Sequence, residues 1–279
     1  MVTNLDQIKV SGEDGKAPKV EGAWPLAIAK TESKILKEGT GEKVDKNATL
    51  KVNYVGVNGR TGKEFDSSYK RGTTADFPLA QVVPGFAKGL VGKHQGDRVL
   101  IMMPGSDGYD SQGGAPQAGI MKGDSLIFVV DIVAIPLPKA TGETVKPAAG
   151  LPTVKEVQGA PAVTIGKATK PNKLVVQPLI KGKGAAVTAH DSIDVKYRTY
   201  AWSSGELIED GYSGEPVTGS MNSVIPGWKK GLIGQTVGSR VMLIVPPADA
   251  YPNGSTNPPV KKGETLIYVI DILSAQKES

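Results

Sequence analysis

The sequence contains no cysteine, which excludes disulfide bonds, thiol nucleophiles and thiolate-bound metals together. Histidine is almost as scarce, because only His94 and His190 occur, and neither has a partner at a metal-ligand spacing. Motifs for a serine nucleophile elbow, a zinc-binding helix and a dinucleotide site are missing too. If the chain catalyses a reaction, we expect it to do so without a nucleophile, a metal or an organic cofactor.

Long apolar segments are also missing. The longest apolar run, residues 126–135, contains Asp131 and is too short to cross a bilayer, so we predict no membrane span. The N-terminus lacks the apolar region of a signal peptide. As written, the sequence indicates a cytoplasmic protein. An exported bacterial protein whose leader has been removed would have the same sequence, so the localisation stays open.

Aromatic residues make up only 5% of the chain, whereas 35 glycines and 20 prolines indicate a turn-rich globular protein. The net charge of +5 comes from lysines that are spread along both halves and interleaved with acidic residues. Nucleic-acid-binding proteins instead concentrate their basic residues on one face or element. We therefore interpret the basic surface as solvated and expect no nucleic-acid partner.

A long internal repeat organises the 279 residues. VVPGFAKGLVG at 82–92 returns as VIPGWKKGLIG at 224–234, and an offset of 140 to 143 residues relates the two halves throughout. This period suits a duplicated domain and is too long for a solenoid unit. The composition of residues 136–152 is typical of a linker. We predict the following segments: a leader at 1–30, domain 1 at 31–136, a linker with the leader of the second copy at 137–169, and domain 2 at 170–279.

Each copy combines short strands with one convincing helix. Leu50, Val52 and Tyr54 alternate with polar residues, which is typical of a strand with one buried face. Pro84 suits the first position of a helix, and Phe86 then shares a helix face with the leucine four residues later. The second copy repeats both patterns. The sequence therefore predicts an α+β fold in which a sheet packs on one short helix.

One reaction needs none of the missing groups, namely rotation about an X–Pro amide bond, whose barrier is about 18–20 kcal/mol. The amide loses its resonance in the twisted transition state, so its carbonyl and nitrogen become less dipolar. An apolar pocket lined by aromatic side chains, with one or two hydrogen-bond donors, therefore favours the twisted amide over the planar one.

The assembled motifs resemble the FKBP (FK506-binding protein) family of peptidyl-prolyl cis-trans isomerases. The motifs VNYVG, GKEFDSS, VVPGFAKGL, DRVLIMMP and SLIFVVDI carry the resemblance, which covers 34–135 and, in the second copy, 174–273. The resemblance implies two tandem FKBP-like domains, each an antiparallel half-barrel wrapped on one short α-helix. It also implies an isomerase that assists protein folding and binds proline-containing polypeptide segments and FK506-like macrolides. We expect a monomer.

The resemblance assigns the catalytic residues of domain 1. Tyr109 would donate its hydroxyl to the substrate carbonyl, and Asp66 would lie beside the twisting amide with a hydrogen bond from Tyr54. Phe86 would form the pocket floor, in place of the family's usual Trp. The remaining residues of this pocket are Phe65 and Val83, whose backbone N–H would hold a ligand carbonyl, and the substrate-binding residues Arg71, Phe77, Val82, Ile120 and Phe128. Ala75 replaces an aromatic residue that the family usually has.

Domain 2 departs from the family at other positions. Ile208 and Glu209 stand where domain 1 has Phe65 and Asp66, so an aromatic edge is lost and the longer side chain displaces the carboxylate. We therefore predict that domain 1 is the likelier active copy and that domain 2 is weakly active or only binds. The substrate-binding residues predicted for domain 2 are Tyr197, Ile208, Val224, Ile225, Trp228, Tyr251, Val260 and Tyr268.

Two other functions stay open at this point. The tandem pockets could hold proline-containing segments without accelerating rotation, as a chaperone-like module, and Glu209 favours this for domain 2. A surface protein of two β-sandwich domains would explain the Thr, Gly and Pro content, although the helical motifs count against it. Each site residue also has a structural explanation: Tyr54 and Phe128 are ordinary core candidates, and Asp66 before two serines is typical of a turn.

Overall fold

The computed structural model describes residues 4–13 and 15–277. The chain divides into two compact units, Met1–Pro136 and Leu137–Ser279, which we call domain 1 and domain 2. Both units consist mainly of antiparallel strands with few helices, which confirms the predicted α+β class. In the part of the chain that the structure describes, no helix combines the length and the apolar character needed to cross a bilayer.

Domain 1 contains these strands in chain order: β1 (Lys9–Ser11), β2 (Lys19–Glu21), β3 (Glu32–Lys37), β4 (Thr49–Asn58), β5 (Glu64–Ser67), β6 (Ala75–Pro78), β7 (Arg98–Met103), β8 (Gly114–Ala115), β9 (Ile120–Met121) and β10 (Leu126–Ala134). Its main sheet has the order β3-β7-β10-β4-β5, with β6 also paired to β4. The predicted helix is α2 (Pro84–Leu90). A one-turn helix that the sequence analysis did not predict, α1 (Ser68–Arg71), follows β5.

Domain 2 repeats this arrangement with the strands β11 (Glu143–Thr144), β12 (Thr153–Val157), β13 (Ala160–Thr164), β14 (Val175–Lys181), β15 (Asp191–Ala201), β16 (Leu207–Asp210), β17 (Val217–Ser220), β18 (Arg240–Val245) and β19 (Leu266–Lys277). The main sheet has the order β11-β14-β18-β19-β15-β16, with β17 paired to β15. Its helix α3 (Pro226–Leu232) corresponds to α2.

Glycines allow each helix to lie directly on the central strands. A Cβ atom on Gly85 would come within 2.3 Å of the Met103 side chain, and one on Gly89 within 2.7 Å of the Ile101 side chain. In domain 2 the corresponding Gly227 would meet Val245 at 2.4 Å. Any larger residue would push the helix away from the sheet, and the aromatic side chain that the helix carries would move with it.

The sheet face opposite the helix is covered by the segment before it. In domain 1 the β1–β2 hairpin and the residues after it bury Leu26 and Ile28 against Leu100 and Ile127. In domain 2 the β12–β13 hairpin supplies the equivalent cover. The leader that the sequence analysis separated from the domain is therefore part of its core.

Residues 137–152, whose composition predicts a linker, are instead held by domain 2. The Leu137 N–H donates to the carbonyl of Leu273 at 2.8 Å, and the Thr141 N–H donates to that of Gly238 at 2.8 Å. Strand β11 then adds to the sheet edge at β14. Composition reports the stiffness of a chain segment but not the strand edge available for its pairing.

Candidate functional site

The helix face of the domain 1 sheet and helix α2 share one apolar cluster. Strand β4 contributes Tyr54, α2 contributes Phe86 and strand β10 contributes Phe128, and all three side chains are buried. The structure thus brings together the aromatic and aliphatic residues predicted for this pocket: Tyr54, Phe65, Phe77, Val82, Val83, Phe86, Tyr109, Ile120 and Phe128.

Five aromatic rings form a continuous lining in this cluster. Phe86 lies at the centre, with its ring centroid 4.7 Å from that of Phe77 and 4.6 Å from that of Phe128. Tyr54 stands 5.2 Å from Phe77, and Phe65 meets Phe128 edge to face at 5.5 Å. Such tilted and edge-to-face contacts are favourable, and they fix the shape of the lining.

A polar group stands at the edge of this lining. The Tyr54 hydroxyl donates to one oxygen of Asp66, and the Arg71 guanidinium donates to the other. Arg71 also donates to the Tyr54 hydroxyl oxygen at 3.0 Å and lies 5.5 Å from the ring centroid. The unpredicted helix α1 ends at Arg71 and so positions this guanidinium.

These contacts shift the pKa values of Tyr54 and Asp66 in opposite directions. Burial, together with the bond to Asp66, raises the pKa of Tyr54 to about 12. Partial burial acts to raise the pKa of Asp66, but the hydrogen bonds from Tyr54 and Arg71 and the charge of Arg71 outweigh it and lower this pKa. The arrangement therefore favours an ionised Asp66 and a neutral Tyr54.

Two hydrogen-bond donors face the same region without a partner in the described part of the chain: the Tyr109 hydroxyl and the backbone N–H of Val83. The pKa of Tyr109 is raised by burial and by the charge of Asp66. The loop before Tyr109 is held by Asp107, which accepts from Lys88 at 2.6 Å and from Thr31 at 2.5 Å. The pocket thus has donors available for a carbonyl ligand.

The sequence analysis missed this loop anchor, although the repeat carries a signal for it. Lys88 and Asp107 return 142 residues later as Lys230 and Asp249, and the second pair also forms an ion pair at 2.6 Å. Identical charged residues at a constant offset in two otherwise divergent copies indicate a pair that supports the fold of the loop.

Domain 2 builds its pocket from the equivalent elements. Trp228 of α3 and Tyr268 of β19 are buried, and Tyr197 of β15 and Tyr251 pack against them. The cluster unites all the residues predicted for this pocket: Tyr197, Ile208, Val224, Ile225, Trp228, Tyr251, Val260 and Tyr268. The Ile225 N–H and the Tyr251 hydroxyl have no hydrogen-bond partner in the described ranges, as in domain 1.

The floor of the second pocket is built differently. In domain 1, Phe77 of β6 pairs with Leu50 of β4. At the same register position in domain 2, Gly219 of β17 pairs with Ile193 of β15. Domain 2 therefore lacks the aromatic ring that supports Phe86 in domain 1. Trp228 stands perpendicular to both Tyr197, at 5.1 Å, and Tyr268, at 5.5 Å. Its indole Nε1 is buried without a hydrogen-bond partner among the described residues. The sequence analysis did not identify Gly219, because the chain is one residue shorter in this region.

The carboxylate at the edge of the second pocket also has other partners. Glu209 accepts from the Tyr197 hydroxyl at 3.3 Å and from Thr199 at 2.9 Å, and Thr199 was not predicted. The position 143 residues after Arg71 is Gly214, so the guanidinium of domain 1 has no counterpart. Burial, with a contribution from the Glu209 charge, raises the pKa of Tyr197 to about 12.

Neither pocket offers a metal site. No group of three or more histidine, aspartate or glutamate side chains with metal-binding geometry occurs within residues 4–13 and 15–277. Each pocket therefore combines an aromatic surface and one carboxylate with hydrogen-bond donors from a tyrosine and a backbone amide, and domain 1 adds the Arg71 guanidinium. Such a set can bind a planar or twisted amide, but it contains no nucleophile poised for covalent catalysis.

Comparison with known proteins shows that one family model matches both halves of the chain. The family model of FKBP-type peptidyl-prolyl cis-trans isomerase matches residues 40–133 and 183–273. A probable FK506-binding protein of Corynebacterium glutamicum is 32% identical over 117 residues, which cover 41% of this chain and 98% of that protein. An FK506-binding protein of Streptomyces anulatus is 40% identical over 100 residues, covering 35% and 80%. The crystal structure of FkpA from Escherichia coli matches 37% of this chain and 48% of that chain, with 30% identity and a TM-score of 0.34.

Proposed function

Since the chain belongs to the FKBP-type peptidyl-prolyl cis-trans isomerase family, we propose that it accelerates rotation about X–Pro bonds in polypeptides and that domain 1 is the more active copy. The observation that carries this proposal is the position of Asp66. Its carboxylate is fixed by Tyr54 and Arg71 at the edge of a lining of five aromatic rings.

The mechanism follows from the properties of the twisting amide. The proline ring packs on Phe86 and its aromatic neighbours, which exclude water from the amide. A planar amide is strongly dipolar and loses more hydration in this environment than a twisted amide does, so the pocket favours the twisted state. The barrier of about 18–20 kcal/mol in water falls without any bond being broken.

The polar groups orient the substrate. The Tyr109 hydroxyl and the Val83 N–H are free to donate to carbonyl oxygens on either side of the proline. Asp66 keeps its charge because of Tyr54 and Arg71. It acts as a fixed electrostatic group beside the amide nitrogen and not as a general base. Preorganised groups of this kind need no reorganisation during the reaction.

The residues that line the pocket also support a preference for the type of residue that precedes the proline. Because the pocket of domain 1 is aromatic and aliphatic, and because Arg71 balances the charge of Asp66, we infer a preference for an apolar residue before the proline. FK506-like macrolides would occupy the same pocket and inhibit the enzyme. We further infer that the chain acts as a monomer, since each pocket is built within one unit.

A second function, binding without fast isomerisation, is favoured for domain 2. Glu209 is held by hydroxyl groups and not by a guanidinium, and Gly219 supplies no ring at the position where domain 1 has Phe77. A less rigid floor and a displaced carboxylate would still bind a proline ring. They would stabilise the twisted amide less than the domain 1 pocket does.

The test compares matched conservative variants of the full chain. Asp66→Asn with Tyr109→Phe removes the polar groups of domain 1, and Glu209→Gln with Tyr251→Phe removes those of domain 2. Isomerisation of a Leu-Pro peptide is measured by NMR exchange, with and without FK506. We expect the domain 1 pair to lower kcat/KM by about tenfold or more, since one hydrogen bond to the substrate and one fixed charge are lost. The domain 2 pair should lower kcat/KM by less than about twofold.

Thermal melting of each variant controls for folding. If the domain 2 pair caused the larger loss, the assignment of roles would be reversed. If the folded wild-type chain bound the peptide without accelerating its isomerisation, the enzyme would be excluded and a binding module would remain.

A further inference from the structure

The pocket of domain 2 contains a carboxylate that is held by two hydroxyl groups. Glu209 is half-buried and accepts from the Tyr197 and Thr199 hydroxyls. None of the described lysine and arginine side chains forms an ion pair with it. In domain 1 the equivalent Asp66 is bound by Arg71, which reaches into the pocket edge from helix α1. Hydroxyl groups satisfy hydrogen bonds to a carboxylate, but they do not neutralise its charge.

The rings around Glu209 also favour a positive charge. Tyr197 and Tyr268 each stand nearly perpendicular to Trp228, with interplanar angles of 86° and 88°. The Glu209 carboxylate lies 3.3 Å from the Tyr197 hydroxyl, and Ile208, Tyr251 and Tyr268 belong to the same cluster as Tyr197. Aromatic faces attract ammonium and guanidinium groups, and a neighbouring carboxylate adds to that attraction.

We propose that the pocket of domain 2 selects proline-containing segments in which a lysine or arginine precedes the proline. The residue before proline supplies the amide carbonyl, so its side chain leaves the backbone beside the group at the Glu209 position. This proposal rests on the proposed function, since it assumes that the proline ring occupies the Trp228 floor. It gives the two domains different substrates: apolar–Pro in domain 1 and basic–Pro in domain 2.

Two lysines oppose this selection at longer range. Lys261 and Lys262 are exposed and follow the pocket residue Val260. Because exposed charges are screened over about 8–10 Å at physiological salt, their repulsion should be weaker than a direct ion pair with Glu209. We therefore expect the ion pair with Glu209 to outweigh the repulsion from Lys261 and Lys262, so that a basic residue before the proline strengthens binding.

The experiment observes the pocket of domain 2 in the full chain. The chain has three tryptophans, so ¹⁵N labelling of tryptophan gives three indole signals, and Trp228→Phe assigns the one in the pocket floor. Tetrapeptides that contain Lys-Pro, norleucine-Pro or Glu-Pro are titrated, and the shift of the Trp228 signal gives each Kd. We expect Lys-Pro to bind about three- to fivefold more tightly than norleucine-Pro, as for a partly exposed ion pair, and Glu-Pro to bind most weakly.

Glu209→Gln is the matched variant, because glutamine has nearly the same size and keeps one acceptor oxygen but carries no charge. It should bring the Lys-Pro to norleucine-Pro ratio to about one, as should 0.5 M salt to a large extent. Equal binding of the two peptides by the wild-type chain would overturn the selectivity but leave proline binding intact. If no peptide shifted the Trp228 signal while the isomerase activity of domain 1 persisted, binding by domain 2 itself would be excluded.

Discussion

The two domains place nearly the same scaffold around different pocket chemistry. Both set a helix on the central strands through paired glycines. In both, one backbone N–H and one tyrosine hydroxyl at the pocket have no partner among the described residues. The two domains differ at the floor and at the carboxylate. We infer that both domains keep the backbone donor because the packing of helix on sheet requires its geometry. Single pocket side chains, in contrast, can differ between the domains and alter which ligand binds.

The floors differ in how the aromatic volume is distributed. Domain 1 divides it between Phe86 and Phe77, whose rings are 4.7 Å apart. Domain 2 has the larger Trp228 and reduces the second position to Gly219. Among the described residues, the indole N–H of Trp228 is buried without a partner, and a buried donor of this kind in general destabilises a protein by about 1–3 kcal/mol.

The largest effect is expected from breaking the Phe77–Phe86 pair. Phe77→Ala should lower the free energy of unfolding of domain 1 by about 3–5 kcal/mol, because it leaves a cavity beside a buried ring. Urea denaturation followed by the Trp24 indole NMR signal measures this domain. The matched change Gly219→Ala should alter domain 2 by about 1 kcal/mol or less, since its Cβ meets only Val224, at 3.7 Å. A large loss in both variants would contradict the comparison.

A second comparison concerns the cover on the opposite sheet face. Ile28 is buried in domain 1, whereas Ile165 of domain 2 is only partly buried. Ile28→Ala should cost about 2–4 kcal/mol of unfolding free energy, and Ile165→Ala about half of that or less. Urea denaturation of the two variants checks this order. The kcat/KM of folded Ile28→Ala should stay close to the wild-type value, because Ile28 lies across the sheet from the pocket.

A smaller effect is expected from exchanging the charge balance of the pockets. Arg71→Gln leaves Asp66 with only its hydroxyl and amide donors, so domain 1 should come to favour Lys-Pro over norleucine-Pro by about three- to fivefold. Measuring kcat/KM for both peptides in a Glu209→Gln background isolates domain 1.

The reciprocal control is Gly214→Arg, which should reduce the Lys-Pro preference of domain 2. No heavy atom lies within 4 Å of a Cβ at this glycine, so a side chain can begin there without a clash. An unchanged preference in both variants would show that the guanidinium does not set the selectivity.

The smallest effect is expected from pH. The pKa of Asp66 is lowered on folding, so its contribution to stability is present above about pH 4 and is lost as the pH falls through the lowered value. The pKa of Tyr54 is raised to about 12, so its contribution is present below about pH 10 and is lost as the pH rises through the raised value. The kcat/KM of domain 1 should therefore be constant from about pH 5 to pH 9.

Asp66→Asn provides the control for this profile. The variant should lose the decline on the acid side because no carboxylate remains at that position to protonate. A bell-shaped profile centred near neutral pH would contradict the role of Asp66 as a fixed electrostatic group and would indicate general acid–base catalysis.

The repeat made much of the pocket predictable. A strand that alternates Leu50, Val52 and Tyr54 must place these side chains on one face, and Pro84 fixes where the helix begins. These local rules place Tyr54 on a buried strand face and Phe86 on one face of the helix. That the two residues share a pocket was an implication of the family resemblance, and in the structure they belong to one cluster. The family resemblance then indicated Asp66, because no periodicity separates a pocket carboxylate from a turn residue.

Other features depended on strand register and on long-range pairing. Gly219 became recognisable as the counterpart of Phe77 only through its pairing with Ile193. Thr199 was missed as a partner of Glu209 because the two residues meet across β15 and β16. Residues 137–152 were assigned to a linker because their composition gives no sign of the strand edge that they join.

By itself the sequence determined the duplication, the alternation of buried faces, the two helices and the aromatic residue that each helix carries, because these depend on neighbours within a few positions. The tertiary structure alone decided which charges meet. Arg71 balances Asp66 because α1 turns it back toward β4, and Glu209 lacks such a partner because domain 2 has glycine there. The interaction energy of two charges depends on the distance between them, and distances across a sheet are fixed only when the chain has folded.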